Sequence, residues 1–352
     1  MSYNILGITP GHNGSVALVS DGELIFYLEE ERLSRVKYDR NPLKSILYLL
    51  SKHSIDELVI TGQEKNDFDY HFYKNIFLKF YPSIKVYNYQ KYHHLSHASN
   101  AFYNSPFTKA TALIIDSAGS THIHNKVECV EAESIFTCEY PNVIKSNYKS
   151  YNTTLEYFYK DSVLDISSNV NLCKTYEAFT EYLGWGFLEA GKTMGLSSYG
   201  KFDPLIPPLI TNTKGNPEIF SIVYPSTTVN RKINRYDKKN LTYHLQRETE
   251  RSLKELVQKT IDLTQNTNVV CAGGLFLNCV ANYYLIKEFP DINFYFEPTA
   301  NDGGNSIGAA LYRWYEYSRD TTTRPRKTLY HGPKYSKKQL LKVIKKYVDT
   351  PL

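Results

Sequence analysis

An α/β fold built on two copies of a strand-strand-strand-helix unit is what this sequence predicts. Three observations carry that expectation. Two well-separated segments share one plan of apolar runs broken by Gly-containing turns, each is followed by helix-like sequence, and the later part of the chain twice repeats apolar run, Gly-rich turn and helix. With 352 residues, 42% hydrophobic and 22% charged, the composition is that of a globular chain, long enough for two domains or one two-lobed body.

The first unit is "YNILGITPGHNGSVALVSDGELIFYLEEER", three runs separated by a Gly-rich turn and an Asp-Gly turn, with the helix-like "NPLKSILYLLSKHS" after it. The second, "KATALIIDSAGSTHIHNKVECVEAESIFTCEY", reads as run, Gly-containing turn, run, polar break, run. Runs bounded by Gly, Asn and Asp predict consecutive antiparallel strands. Further on, "HLQRETERSLKELVQKTIDLTQ" places Leu253, Leu256, Val257 and Ile261 on one helical face. "NVVCAGGLFLNCVANYYLIKEF" and "INFYFEPTANDGGNSIGAALYRWYEY" each predict strand, glycine turn and helix, and such turns suit a phosphate or ribose. Last, "RDTTTRPRKTLYHGPKYSKKQLLKVIKKYV" predicts a linker and a short helix capped by Ser336. Its stripe of Leu340, Leu341, Ile344 and Val348 either docks back on the body or opens a further domain.

The duplicated unit is the plan of the actin-like ATPase fold, shared with sugar kinases and HSP70-like proteins: βββαβα-type subdomains with mixed sheets flanked by helices. Residues 1–107 are expected to form one subdomain and 108–322 the other, whose terminal helix is free to pack on the first. Residues 323–352 follow as a separate tail.

The net charge of +5 sits in that tail. Residues 323–352 hold nine Lys or Arg and one Asp, leaving 32 basic against 35 acidic residues elsewhere, so the body gives no electrostatic argument for nucleic acid. Five cysteines without a CxxC pair argue against a disulfide framework and a thiolate zinc site. No apolar run approaches the roughly 18 residues of a membrane helix, and a cytoplasmic location is expected.

Chemistry gathers at a few positions. In a helix His93 and His97 of "HHLSHA" lie at i and i+4, on one face, and can share a metal, while His94 points elsewhere. Asp116 closes the run "ATALIID" and Asp302 sits in "EPTANDGG", each at a strand end beside a Gly-containing turn, placed to hold a cation next to phosphates. Two imidazoles and two carboxylates suit iron, zinc or manganese. His12, in the turn "TPGHNGS", is a candidate general base for a hydroxyl. "EEERLSRVKYD" offers Arg32, Arg35 and Lys37 amid acids, the pattern of a salt-bridged helix start. "LEAGKTMGLSSYGK", with Gly191, Lys192, Gly195 and Gly200, reads as a loop shaped around a ligand.

The motifs "GHNGSVAL", "EEERLSRVKYD", "HHLSHA", "LEAGKTMGLSSYGK", "CAGGLFLN" and "EPTANDGGNSIGAAL" resemble, in order and spacing, the O-carbamoyltransferases of the NodU/CmcH type, over about residues 4 to 335. The resemblance implies that a YrdC-like domain, in cis or in trans, makes carbamoyl-adenylate from carbamoyl phosphate and ATP. The actin-like part then passes the carbamoyl group to an acceptor hydroxyl. It implies His93, His97, Asp116 and Asp302 as ligands of a metal, iron first, with magnesium as a further option beside the nucleotide. His12 becomes the residue at the acceptor. Gly119, Lys192, Gly195, Gly273, Gly274, Asn278, Gly303 and Gly304 become the nucleotide or carbamoyl-adenylate set. The acceptor expected is the hydroxyl of a sugar, antibiotic or other natural product, with a hydroxymethylated nucleobase as the second option.

Two positions depart from the family's habit: Asn13 stands where Asp is usual, and Ser120 where an acid is usual. "LYHGPKYSKKQLLKVIKKY" resembles the first helix of the YrdC-like domain, so an incomplete enzyme is expected. Two rival readings are a transferase of the tRNA threonylcarbamoyladenosine type, disfavoured by "ERLSRVK" and "GKTMGLSSYG", and a non-catalytic nucleotide-binding module of the same fold.

Overall fold

The computed structural model describes residues 2–62, 68–155, 157–167, 171–210, 233–332 and 334–348. Its first sheet has the order β3 (Glu23–Glu29), β2 (Ser15–Ser20), β1 (Asn4–Thr9), β4 (Glu57–Ile60) and β5 (Lys85–Asn88). The central strand β1 runs antiparallel to β2 and parallel to β4. The second sheet repeats this around β6 (Lys109–Ile115), antiparallel to β8 (Val127–Glu139) and parallel to β12 (Asn268–Ala272). Beyond them lie β9 (Val143–Asn152) on one side and β13 (Asn293–Phe296) on the other. The duplicated plan is therefore present strand for strand.

One strand of the second unit differs from expectation. The run after "DSAGS" forms β7 (Thr121–His124), a short arm that folds back on β8 as a hairpin, and β9 takes the third place of the meander. Asn125 and Lys126 cause this, since both have positive φ (48° and 66°), the conformation a two-residue hairpin turn demands. Strands β10 (Phe158–Lys160) and β11 (Leu164–Ser167) extend the edge past β9.

The helices are α1 (Glu31–Ser34), α2 (Leu43–Leu50), α3 (Phe68–Phe80), α4 (His93–Asn104), α5 (Leu172–Tyr182), α6 (Ala190–Ser197), α7 (Lys238–Thr264), α8 (Cys279–Glu288), α9 (Asn305–Ser318) and α10 (Lys337–Tyr347). Leu253 and Val257 of α7 are buried against the second sheet's outer face, with Leu256 and Ile261 packed beside them. α2 and α3 cover the outer face of the first sheet.

The segment expected as a glycine loop is instead helix α6. Thr193 is fully buried with its hydroxyl 2.8 Å from that of Thr180 on α5, and Gly200, just beyond, approaches α7 so closely that a Cβ would lie 2.0 Å from the Lys239 carbonyl oxygen. Packing on two neighbouring helices outweighs the low helix propensity of Gly191 and Gly195. α10 forms as expected, with Ser336 and Gln339 in a capping box. Its apolar stripe stays exposed and does not dock on the described body.

Between the two sheets lie α4 and α9, in one core with Ile5, Ala17, Ala112 and Val270. Thus α9, late in the sequence, packs on the first sheet, and Arg313 ties it there by two bonds to Glu57 of β4 (2.7 and 3.0 Å). The two helices approach closely at Gly308, where a Cβ would meet the Ser96 carbonyl oxygen at 1.9 Å.

Gly308→Ala is therefore expected to force α9 off α4 and destabilise the chain by about 1–3 kcal/mol or more. Gly195→Ala, with open space around its Cβ position, should be neutral or stabilise α6 by up to about 1 kcal/mol. Urea midpoints of the two variants check this; a Gly308→Ala midpoint equal to that of the unsubstituted chain would contradict the crossing.

Candidate metal centre

The first turn of α4 presents His93 and His97, both fully buried, with their Nε2 atoms 3.2 Å apart. This is the i, i+4 geometry expected from "HHLSH". Asp116 emerges where β6 ends, and Asp302 where the chain turns into α9. Asp116 Oδ2 lies 3.3 Å from His93 Nε2, while Asp302 Oδ1 lies 3.4 Å from His93 Nε2 and 3.5 Å from His97 Nε2. One potential ligand atom from each of the four falls within 4.8 Å of all the others.

Neighbouring contacts hold these side chains. The Gly274 N–H donates to Asp116 Oδ1 at 3.0 Å, and the Asn171 amide donates to the backbone oxygens of Asp116 and Ser117 while its own oxygen caps α5. Gly273 makes this approach possible: its φ is +96°, and a Cβ there would lie 2.3 Å from the Ile115 carbonyl oxygen. Ser120 has a structural task, accepting the His93 backbone N–H at 3.1 Å at the start of α4. The Ser120 N–H in turn donates to Glu131, so a buried carboxylate does stand close by, on β8.

The charges of these side chains act strongly on one another. Burial would lower the His93 imidazole, but Asp302 and Asp116 outweigh it and hold its pKa well above the ordinary value. Burial and Asp302 would raise the Asp116 carboxyl, yet His93 and His97 bring it down to about 2. Asp302 is held well below the usual range despite burial, first by His93 and then by His12. Two buried carboxylates this close need positive charge between them. Metal–donor bonds of about 2.1 Å put neighbouring donors roughly 3.0–3.4 Å apart, and the His–His and three His–Asp distances come close to that, so the residues fit a divalent transition metal.

Beside the cluster opens a cavity of about 340 Å³. His12, Asp116, Asp302, Gly274 and Asn278 line it. His12 Nε2 is 3.3 Å from Asp302 Oδ2, and its Nδ1 is 3.1 Å from Asn13 Oδ1. Asn13 has φ +62°, a conformation Asn accepts more readily than most residues. "EEERLSRVKYD" also reaches the cavity, through Glu31, Arg32, Lys37 and Tyr38, and Tyr38 donates its hydroxyl to the Leu188 carbonyl at 2.9 Å.

Other predicted positions lie outside the lining. Gly119 is wedged between His94 and Glu131, and Gly303 and Gly304 are packed against Tyr27 and the Thr299 backbone. Lys192 pairs with Glu189 at 2.7 Å on the half-exposed side of α6; Gly191 and Met194 of that helix face the cavity instead of Lys192 and Gly195. Asn278, by contrast, does line the cavity, and it turns its amide to Gln246 and caps α8. At Gly273 and Gly304 the missing Cβ lets two stretches of backbone approach.

His94 had no assigned role in the sequence, and Glu177 and Asn305 had no signal there. His94 is buried with Nδ1 2.7 Å from Ser134 Oγ, and burial pushes its pKa down to about 3, so it stays neutral. Glu177 of α5 lines the cavity, and burial raises its carboxyl to about 7 with Lys174 opposing. Asn305, fully buried at the start of α9, has its amide 3.3 Å from His97 Nε2.

The comparisons with known proteins agree with this architecture. An uncharacterised protein of Synechocystis sp. is 27% identical over 382 residues, spanning 89% of this chain and 57% of that protein. The nodulation protein NolNO of Sinorhizobium fredii is 25% identical over 363 residues, spanning 92% of this chain and 49% of its own length. The chain spans about half the length of the curated relatives it matches. Among solved structures, T. kodakarensis HypF superposes on 90% of this chain and 48% of its own with a TM-score of 0.56 at 10% identity, a likeness of fold, and that fold is the duplicated actin-like one. The family model described as Carbamoyltransferase N-terminus matches residues 4–92 and 83–311, and to that family the chain belongs.

Proposed function

We propose that this chain transfers a carbamoyl group from an activated donor to an acceptor hydroxyl bound in the cavity beside the His93, His97, Asp116 and Asp302 cluster. The observation that carries the reading is His12 at the cavity wall, 3.3 Å from Asp302 in the buried donor set, in a chain of the carbamoyltransferase family. The donor is carbamoyl-adenylate, made from carbamoyl phosphate and ATP by a YrdC-like domain in cis or in trans. The acceptor is a sugar, antibiotic or other natural-product hydroxyl, as the NodU/CmcH resemblance implies.

The residues support a division of labour. His12 Nδ1 lies 3.1 Å from Asn13 Oδ1, and in the tautomer that donates this bond Nε2 carries the lone pair that a base needs. An acceptor hydroxyl reaching Nε2 gives up its proton there as its oxygen attacks the carbamoyl carbon, and AMP leaves. A cation in the cluster, iron or another transition metal, offsets negative charge on the donor's phosphate. The Asn278 amide and the Gly274 backbone, both already hydrogen-bonded, form a rigid wall for the nucleotide end.

Purified chain should contain about one transition-metal ion, lost in His93→Ala and in Asp302→Ala. Elemental analysis checks this, and full occupancy in both variants would remove the cluster from the reading. With a YrdC-like domain, ATP and carbamoyl phosphate supplied, intact-mass measurement should find one carbamoyl group replacing one hydrogen on the acceptor. His12→Ala should slow that gain by about 10²- to 10⁴-fold. An undiminished rate would take His12 out of the chemistry.

Glu177 gives a separate test through pH. Its carboxyl, raised from 4.5 to about 7, binds its proton more tightly in the folded chain than in the unfolded one. Its ionisation therefore costs stability progressively as pH rises through that window, and the cost is constant above it. Glu177→Gln should be increasingly more stable than the unsubstituted chain from about pH 5 to about pH 8, by up to about 3 kcal/mol in urea unfolding. A gap that stays flat with pH would show that the folded chain does not favour the neutral form.

A further inference from the structure

We propose that Asn305 is a fifth protein donor of the cation cluster, its side-chain oxygen joining His93, His97, Asp116 and Asp302. The inference rests on the reading of that cluster as a cation site and goes on to say which ions it prefers. Asn305 follows Asp302 by three residues, so one turn of chain brings both side chains to the same place. It is fully buried. Its inward amide atom lies 3.3 Å from His97 Nε2, 3.4 Å from His93 Nε2 and 3.5 Å from His93 Nδ1, over the edge of the His93 ring. Among the donors already described, the His–His pair and three His–Asp pairs stand 3.2 to 3.5 Å apart. An atom at that spacing from both Nε2 donors stands at a corner that borders the same centre, within reach of it by a small side-chain rotation.

Chemistry decides which amide atom belongs at that corner. With Nδ2 inward, an N–H group faces two ring nitrogens whose lone pairs a cation would take. Meanwhile Oδ1 is buried with no hydrogen-bond partner. A half-turn of the amide exchanges two atoms of nearly the same size and sets the oxygen inward, where the cation is its partner. Charge balance agrees, because two carboxylates already neutralise a divalent ion and a neutral amide adds a donor without adding charge. A donor beyond four favours ions that take five or six ligands, such as Fe²⁺ or Mn²⁺, over Zn²⁺, which settles for four.

The test uses the full chain loaded with Co²⁺, whose visible absorption strengthens as its coordination number falls to four. Three forms are compared: unsubstituted, Asn305→Leu, which keeps the volume and removes the donor, and Asn305→Asp, which keeps the shape and adds charge. Chelator competition on Asn305→Leu should show Co²⁺ affinity reduced about 10- to 100-fold, with stronger visible bands. Asn305→Asp should bind at least about tenfold more tightly, with weak bands. Asn305→Leu with unchanged affinity and spectrum overturns the inference and leaves the cluster standing. If melting of the ion-free forms shows the leucine variant unfolded, Asn305→Asp decides alone, and unchanged affinity there overturns the inference. An unsubstituted chain that binds no ion overturns the cluster itself, and Asn305 falls with it.

Discussion

The close crossing of α4 and α9 is the constraint on which the rest depends. These helices lie far apart in the sequence and meet between the two sheets, in contact at Gly308 and Ser96. Helices usually pack with axes 8–10 Å apart, and a glycine against a backbone carbonyl sets the short end of that range. Because the two approach this closely, the first turn of α4 and the turn that enters α9 can put His93, His97 and Asp302 on one point. β6, the central strand of the second sheet, delivers Asp116 to it. Arg313 on Glu57 fixes the far part of α9 to the first sheet, so the helix is held along its length.

The cluster is costly to bury and is surrounded accordingly. Backbone N–H groups and amides absorb the polar atoms that face away from the centre: Gly274 and Asn171 for Asp116, Ser120 for the His93 backbone. His94 lies one position from a metal-type histidine and is kept neutral by burial, so it adds no repulsion. The Ser120 departure is absorbed without loss of an acid from the neighbourhood, since Glu131 on the adjoining strand accepts the Ser120 N–H. Asn13 gives His12 an oxygen to bond, which an Asp would also supply, but without a second charge near Asp302.

Features set by local chemistry were legible in the sequence. The i, i+4 histidines, the carboxylates at the ends of runs, the strand-turn-helix pairs and the capped helix at 337–347 all follow from spacing and caps, and the structure has them. Features set by packing were not. α6 is helical because two other helices receive it, and nothing in its own glycines says so. β7 became a hairpin arm through two positive φ values that "HNK" does not advertise. The glycine turns suggested ligand contact, yet at Gly119, Gly273 and Gly304 the first thing a Cβ would meet is the protein itself. Glu177 and Asn305 sit on ordinary helices, and only the third dimension turns them toward the cavity and the cluster.

The seam at Gly308 has one more consequence. The spacing of the donor atoms is gauged by the thickness of a peptide backbone, the least compressible part of the chain, rather than by side chains that can adopt other rotamers. The cluster is thus calibrated some distance away, by a residue that contributes no atom to it. A cation held by these four side chains would answer to that seam as much as to the side chains themselves, and drift in the helix packing would alter its fit while every one of them stayed in place.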